Sequence, residues 1–177
     1  MSGGMTVEIG TQELSGKLKS LVNIAQQKHI KLIEAHELEA VASLCGKCFE
    51  SNGFEGEFDL DATIGTIQAI YNSDKHLAIT WKENGIVLGV GLFLVVPSIT
   101  SMNHQKLIEV AWDAHPDIDE FKKGRIMVSI LNFVLNYYKG VADTAHFSVP
   151  CDNVSVRRYL LGKGFLPKEV CYVKELK

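Results

Sequence analysis

A strand-like run, a turn and a long apolar helix follow one another between residues 107 and 135, and this stretch decides the fold. Residues 107–112 are LIEVAW, residues 113–116 are DAHP, residues 117–125 are DIDEFKKGR, and residues 126–135 are IMVSILNFVL. Helical spacing extends over roughly residues 122–138. The first turn of a helix has free N–H groups and a positive dipole end, so such a joint can bind an anion. A solvated loop with basic residues is the alternative.

The composition is that of an ordinary globular protein. The chain has 177 residues, of which 46% are hydrophobic and 22% charged, and one domain with a substantial core is the simplest expectation. A formal net charge of −3 argues against broad nucleic-acid binding. No apolar run reaches the roughly 20 residues that cross a bilayer, and the first residues lack a signal-peptide pattern. We therefore expect a cytoplasmic protein without nucleic-acid or membrane partners.

The four cysteines favour a structural role. Cys45 and Cys48 form a C-x-x-C on the apolar side of a predicted helix, whereas Cys151 and Cys171 stand apart. A zinc site requires a second closely spaced pair, and a redox pair normally opens a helix after a strand. We predict small buried thiols and no metal site.

Hydrophobic periodicity gives the order of the elements. Asn84-Gly85 predicts a tight turn, and the two glycines within residues 86–96 predict a bulge or a close backbone approach. An amphipathic helix is predicted near residues 14–25. The remaining predicted strands lie near residues 30–34, 76–81, 86–96, 106–112, 143–149 and 170–173, and the remaining helices near residues 38–49, 60–71, 122–138 and 153–161.

This order predicts an α/β (α+β) fold with a mixed, mostly antiparallel central sheet of about six strands flanked by helices. Three successive strands with short connections favour an antiparallel meander, and the strand–helix–strand unit of residues 107–149 favours a parallel crossover. We expect residues 1–28 to form a flexible N-terminus plus an extra amphipathic helix. Residues 29–177 are expected to form a single domain. The extra helix could form part of a homodimer interface, and the sequence does not decide the oligomeric state.

The order of elements resembles the GNAT superfamily, whose members transfer an acyl group from acyl-CoA to an amine. His115-Pro116, the basic loop with Gly124 and the long helix resemble the family's pyrophosphate-binding segment. Residues 153–165 (NVSVRRYLLGKGF) resemble its later motif, in which an Asn opens a helix that ends in Gly-Phe. The resemblance covers roughly residues 30–176 and implies a GNAT-like acyl-CoA N-acyltransferase fold.

The resemblance also implies a cofactor site with acetyl-CoA as cosubstrate, although the pyrophosphate loop is degenerate. The family's loop carries a basic residue followed by small residues. When the family's loop is aligned from the helix that follows it, Lys123 occupies the basic position, and Ile126 and Val128 occupy the two small positions. When the loop is aligned on Gly124 instead, Phe121 occupies the basic position. The cofactor arm is expected between the strands at residues 107–113 and 144–149. The expected cofactor-binding residues are Trp112, Lys122, Lys123, Gly124, Arg125, Ile126 and Asn153.

Direct transfer requires a deprotonated amine, a polarised thioester carbonyl and alignment of the two. Glu109 and Asp113 are an even number of positions apart and are expected on one face of their strand, where Glu109 would act as the base. The alternative for Glu109 is a polar outward residue. Tyr159 would act as the acid, although it lies one residue before the family's position and could simply fill the core.

The sequence thus predicts an N-acetyltransferase that moves an acetyl group from acetyl-CoA to an amine on a small molecule or a peptide. The alternative is a catalytically inactive GNAT-like fold that serves as a protein-binding or assembly module.

Overall fold

A computed structural model describes residues 28–53, 56–149 and 153–168. The chain divides into two compact units, of which the first ends at His146 and the second begins at Phe147. The predicted helix near residues 14–25 and the predicted strand near residues 170–173 lie outside the described residues.

Helices form where the apolar spacing predicts them, and side chains cap several of them. Asp59 accepts a hydrogen bond from the Ala62 amide (2.8 Å) and Asp119 from the Lys122 amide (2.9 Å), which satisfies N–H groups of the first turn. No helix in the described part of the chain is long and apolar enough to cross a membrane. The helices are α1 (Leu38–Ser51), α2 (Leu60–Tyr71) and α3 (Glu120–Tyr137) in the first unit, and α4 (Val154–Gly162) in the second.

The first unit contains one mixed sheet. Its strands are paired in the order β1-β2-β3-β4-β5; the first three pairings are antiparallel and the β4–β5 pairing is parallel. This confirms the mixed, mostly antiparallel sheet, with five strands in the described residues rather than about six. The strands are β1 (Ile30–Leu32), β2 (Leu77–Glu83), β3 (Ile86–Ser98), β4 (Ser101–Ala114) and β5 (Thr144–His146).

The boundaries of β4 and β5 differ most from the sequence prediction. β4 begins at Ser101 rather than near residue 106, because cross-strand pairing with β3 continues to the hairpin tip, where Ser98 opposes Ser101. β5 covers only Thr144–His146 instead of residues 143–149. The turn at Asn84-Gly85 is confirmed: both residues have positive φ, 52° and 80°, as a type I′ hairpin requires.

The helices cover both faces of the sheet. Val90 and Leu92 pack with α1 and α2 on one face, which we call the α1 face. Gly89 and Gly91 alternate with them and lie on the other face, the α3 face. A Cβ on Gly89 would lie 2.5 Å from Cγ2 of Ile126, and one on Gly91 would lie 2.9 Å from Cγ2 of Ile130. The predicted close backbone approach is confirmed, because these glycines let α3 lie directly on β3.

Candidate functional site

β4 carries a bulge at Val110. Ala111 opposes Leu92 and Glu109 opposes Phe93, so Val110 is an extra residue without a partner position on β3. Its side chain is 40% exposed. A bulge bends its strand and reverses the alternation of side chains beyond it.

This reversal corrects the prediction that Glu109 and Asp113 share a face. Cross-strand partners lie on the same face of a sheet. Glu109 is opposite Phe93, on the α3 face, whereas Asp113 is opposite Val90, on the α1 face. The even spacing would have placed the two carboxylates together in a regular strand, but the extra residue between them moves one to the other side.

The pairing of β4 with β5 ends close to the bulge. It joins Lys106 to Thr144 and ends where Ile108 opposes His146. β4 itself continues to Ala114. In the described residues no strand lies beside this last part of β4 on the β5 side. Among the described residues, therefore, the edge of β4 on this side is unpaired from the bulge onward, and we call it the open edge.

Trp112 lies in this edge segment, but its side chain faces the interior. The indole is 7% exposed, and its Nε1 donates to the carbonyl oxygen of Met127 in α3 at 2.8 Å. The ring thus fixes β4 to α3. Only the main chain of Trp112 belongs to the open edge.

α3 begins at an earlier residue than the resemblance to the family's pyrophosphate-binding loop implies. Its first residue is Glu120, and Asp119 both caps the Lys122 amide and accepts from the Lys123 amide through its carbonyl (2.9 Å). The amides of residues 124–126 therefore lie inside the helix, where each N–H donates four residues back. Ile126 is fully buried against Gly89. By contrast, a Cβ on Gly124 would meet nothing within 4 Å.

Two of the three basic side chains in this turn are paired with Glu83. Lys122 Nζ lies 2.7 Å from Glu83 Oε2, and Arg125 lies 3.6 Å from Oε1. Trp81 also donates its indole N–H to Oε1 at 3.1 Å. The hydrogen bonds from Lys122 and Trp81 lower the pKa of Glu83, so the carboxylate stays charged. Sequence reasoning missed Glu83, because locally it signals only a hairpin turn.

Lys123 lies at a second polar cluster, at the end of β4. Its Nζ is 4.0 Å from Asp113 Oδ1, and both side chains are largely buried. Asp113 also accepts from Asn52 Nδ2 at 2.8 Å and from the Ala114 amide at 2.7 Å. This cluster joins the end of α1, the end of β4 and the first turn of α3. Asn52 was expected only as a helix terminus.

The two cysteines of α1 lie beside this cluster. Burial, followed by the charge of Asp113, raises the pKa of Cys45 to about 11 and that of Cys48 to about 12. Cys48 Sγ donates to the Ala114 carbonyl at 3.5 Å. Both thiols are protonated at neutral pH, as expected of structural residues. Within the described ranges, no three His, Cys, Asp or Glu side chains are grouped to hold a metal ion.

The second unit contains the predicted Asn-to-Gly-Phe helix. Asn153 caps α4 by accepting from the Val156 amide at 3.1 Å, and Gly164 ends the turn after it with a positive φ of 86°. Tyr159 is half-buried, with Lys163 Nζ 5.5 Å from its ring centroid. The helix prediction is confirmed. The cofactor role of Asn153 and the acid role of Tyr159 remain predictions.

No family model and no curated protein matches the sequence. Solved structures do match the fold. A predicted acetyltransferase with acetyl-CoA from Clostridium acetobutylicum superimposes with a TM-score of 0.67 at 11% identity, covering 82% of this chain and 94% of that one. A GNAT family acetyltransferase from Staphylococcus aureus gives 0.57 at 14% identity, covering 83% and 97%. A transcriptional regulator from Bacillus halodurans gives 0.66 at 10% identity, covering 83% and 98%.

These likenesses establish the fold. The chain has the mixed α+β fold of the GNAT acetyltransferases, as the order of its elements predicted. Identities of 10 to 14% carry no information about acceptor or activity.

Proposed function

We propose that the chain is an N-acetyltransferase that moves an acetyl group from acetyl-CoA directly to an amine. The observation that carries the proposal is the bulge at Val110, after which β4 continues without its β5 neighbour. Bulges re-aim a strand and end its pairing, and they are common beside active sites. An acyl thioester bound along this edge would lie against the main chain of β4. Backbone N–H groups near Val110 and Trp112 would then polarise its carbonyl.

We propose that the acetyl group is transferred in a single direct step. The amine nitrogen attacks the thioester carbon, its proton passes to a base, and the carbon–sulfur bond breaks as the leaving thiolate takes a proton from an acid. Glu109 is proposed as the base, because it directly precedes the bulge at the open edge. Tyr159 is proposed as the acid and Asn153 as a cofactor contact, on the family resemblance of the helix that holds them.

The pyrophosphate is proposed to bind at Lys122, Lys123, Gly124 and Arg125. Ile126 drops out of this set, because its side chain is fully buried and its N–H lies within the helix. Arg125 is best suited to contact it, since its side chain is 57% exposed and its ion pair with Glu83 is long, at 3.6 Å. Exposed ion pairs of this kind contribute at most about 1 kcal/mol, so a phosphate can displace the carboxylate. Open space around Gly124 would let a ligand reach the helix surface there.

A specific observation favours a second candidate, a GNAT-like fold that serves as a protein-binding or assembly module without catalysis. Phosphate cradles need free backbone N–H groups and small side chains. Here Asp119 takes two of the first amides of α3, and Ile126 is buried at one of the positions where the family has a small residue. Glu83 already neutralises Lys122.

Isothermal titration with acetyl-CoA separates the two candidates. We expect micromolar binding by the wild-type protein and weaker binding by the Lys122→Ala/Lys123→Ala/Arg125→Ala variant. A Lys75→Ala/Lys139→Ala variant, which removes exposed cations elsewhere, serves as the control. No binding at millimolar acetyl-CoA would refute the transferase proposal and leave the module.

Binding alone does not establish transfer, so the acceptor is tested separately. The protein is incubated with acetyl-CoA and either a polyamine or a peptide with a free N-terminus, and acetylated product is detected by mass spectrometry. We expect product with one acceptor class and less with Glu109→Gln. Binding without product from any amine would favour a module that retains the cofactor as a ligand.

A further inference from the structure

A second candidate site lies beside α1. It is an open cavity of about 390 Å³ between α1, the β2–β3 turn and His115, which follows β4. Small-molecule sites commonly have volumes of about 300–1,000 Å³, with apolar walls and a few convergent polar groups. Ala40, Leu44, Ile86 and Val87 supply the apolar wall here.

The polar end of the cavity carries an uncompensated positive charge. The Lys47 ammonium lies 3.3 Å from Nε2 of His115. An imidazole nitrogen carries no negative charge, so this contact leaves the charge of Lys47 in place. Among the described residues, no carboxylate lies within ion-pair distance of Lys47.

Glu37, the acidic residue of the lining, does not balance this charge. One of its carboxylate oxygens forms an ion pair with Lys82, and the other accepts from the Glu34 amide at 3.0 Å. Burial raises the pKa of Glu37, but its bonds to Lys82 and to Glu34 outweigh this and lower it overall. Because both oxygens are engaged, the cavity presents Lys47 as its free charge.

The apolar wall combines one strongly exposed aliphatic side chain with a buried one. Ile86, the first residue of β3, is 62% exposed, whereas Leu44 at the α1 side is 4% exposed. Covering this side chain stabilises a complex, because apolar surface is removed from water. A ligand that contacts Lys47 and extends over Ile86 would use both features.

We propose that this cavity binds a small carboxylate that carries a short apolar chain. One ammonium with two further N–H donors matches a monoanionic carboxylate, while phosphate sites usually assemble several cationic donors. The carboxylate lies at Lys47, on the side of His115, and the chain lies along Ile86 and Val87. The proposal is independent of acetyl transfer, since it uses none of the residues assigned to acetyl-CoA.

The test is a titration of the ¹⁵N-labelled full chain with hexanoate, followed by amide chemical shifts. We expect saturable shifts at Lys47, Gly85 and His115. Hexanamide, which keeps the chain and loses the charge, should bind roughly tenfold more weakly, the value of a charge-assisted hydrogen bond. Acetate, which keeps the charge, and inorganic phosphate should also bind at least this much more weakly.

Three variants make the test specific. Lys47→Met should remove the preference for hexanoate over hexanamide, and Met is well tolerated in a helix. Ile86→Ser should weaken both ligands about equally, and Lys139→Met, an exposed lysine elsewhere, should change neither. Shifts confined to other residues, phosphate binding as tight as hexanoate, or an unchanged preference in Lys47→Met would each overturn the proposal. The titration contains no acetyl-CoA, so its failure leaves the transferase proposal untouched.

Discussion

Glu109 and Asp113 lie on opposite faces of β4, because the bulge at Val110 adds one residue between them. Glu109 is on the α3 face, opposite Phe93. Asp113 is on the α1 face, where it accepts from Asn52 and the Ala114 amide. The two carboxylates therefore cannot act together in one acid–base pair, and they have separate roles. Asp113 joins the end of α1 to the end of β4, while Glu109 directly precedes the bulge.

Asp113→Ala should destabilise the protein. It breaks the exposed hydrogen bond from Asn52 and leaves the part-buried Ala114 amide without its side-chain acceptor. Leaving a buried donor unsatisfied costs about 1–3 kcal/mol, so we expect a loss near the lower end of this range. Urea unfolding measures the loss. Asp117→Ala, at a side chain that is 80% exposed, is the matched control and should stay within about 0.5 kcal/mol of wild type. Equal effects of the two variants would show that the Asn52–Asp113 contact does not hold α1 to β4.

Gly91→Ala should be more harmful than its size suggests. The new methyl group would lie 2.7 Å from Phe93 Cε2, 2.9 Å from Ile130 Cγ2 and 3.1 Å from Ile79 Cγ1. Overpacking of a core costs about 1–3 kcal/mol, because α3 must move away from the sheet. Thermal unfolding gives the change.

Gly65→Ala is the control for this substitution. Gly65 lies within α2, is exposed and has nothing within 4 Å of the position of a Cβ. Alanine there should stabilise the helix by about 0.5–1 kcal/mol. If Gly91→Ala and Gly65→Ala both stabilise the protein, the close approach of α3 to β3 is contradicted.

Glu83→Gln should strengthen acetyl-CoA binding if the pyrophosphate contacts this turn. The substitution removes the carboxylate that pairs with Lys122 and Arg125, and their charges become available to the ligand. A decrease in Kd of roughly two- to fivefold is expected by isothermal titration, because exposed ion pairs are weak. Glu50→Gln, at an exposed residue of α1, should leave Kd unchanged. An unchanged Kd in Glu83→Gln, with wild-type binding intact, would place the phosphates elsewhere.

Protonation of His76 should make the folded protein less stable in mild acid. Its Nδ1 accepts from the Val95 amide at 3.2 Å, and burial, followed by the charge of Lys75, lowers its pKa below 6.5. His76 therefore binds a proton more readily in the unfolded chain than in the folded protein. Its contribution to the free energy of unfolding is fully present above the pKa that it has in the unfolded chain. It is lost as the pH falls from about 6.5 through the lower, folded pKa.

Urea unfolding at neutral pH and near pH 5.5 checks this dependence. His76→Asn keeps an acceptor for Val95 and removes the titration, so its stability should fall less between the two conditions. His36→Asn, whose native side chain is 75% exposed, should behave like wild type. A His76→Asn variant as acid-sensitive as wild type would contradict the assignment.

Much of the fold could be predicted from local pattern. The Asn84-Gly85 turn follows from backbone preferences that these two residues carry with them. The span of α3 follows from 3.6-residue spacing, and the close approach at Gly89 and Gly91 follows from missing Cβ atoms in an otherwise apolar strand. Such features depend on neighbours within a few positions, so the sequence alone contains them.

The candidate site was predicted less well. The basic residues at 122, 123 and 125 are where they were expected, but their partners Glu83 and Asp113 come from other parts of the chain. No local spacing announces an ion pair between a hairpin turn and a helix that begins at Glu120. Lys47 and His115, which meet beside the second cavity, are likewise distant in sequence.

The sequence by itself determined the order of the elements, the helix caps and the tight turn, because propensity, capping and periodicity act over a single turn or strand. Only the tertiary structure decided that Glu109 and Asp113 lie on opposite faces, that Glu83 pairs with two of the three basic side chains, and that Ile126 fills the space over Gly89. Each of these depends on the register between strands or on the seating of a helix against a sheet. Register and seating minimise the energy of the whole core, which no single stretch of sequence specifies.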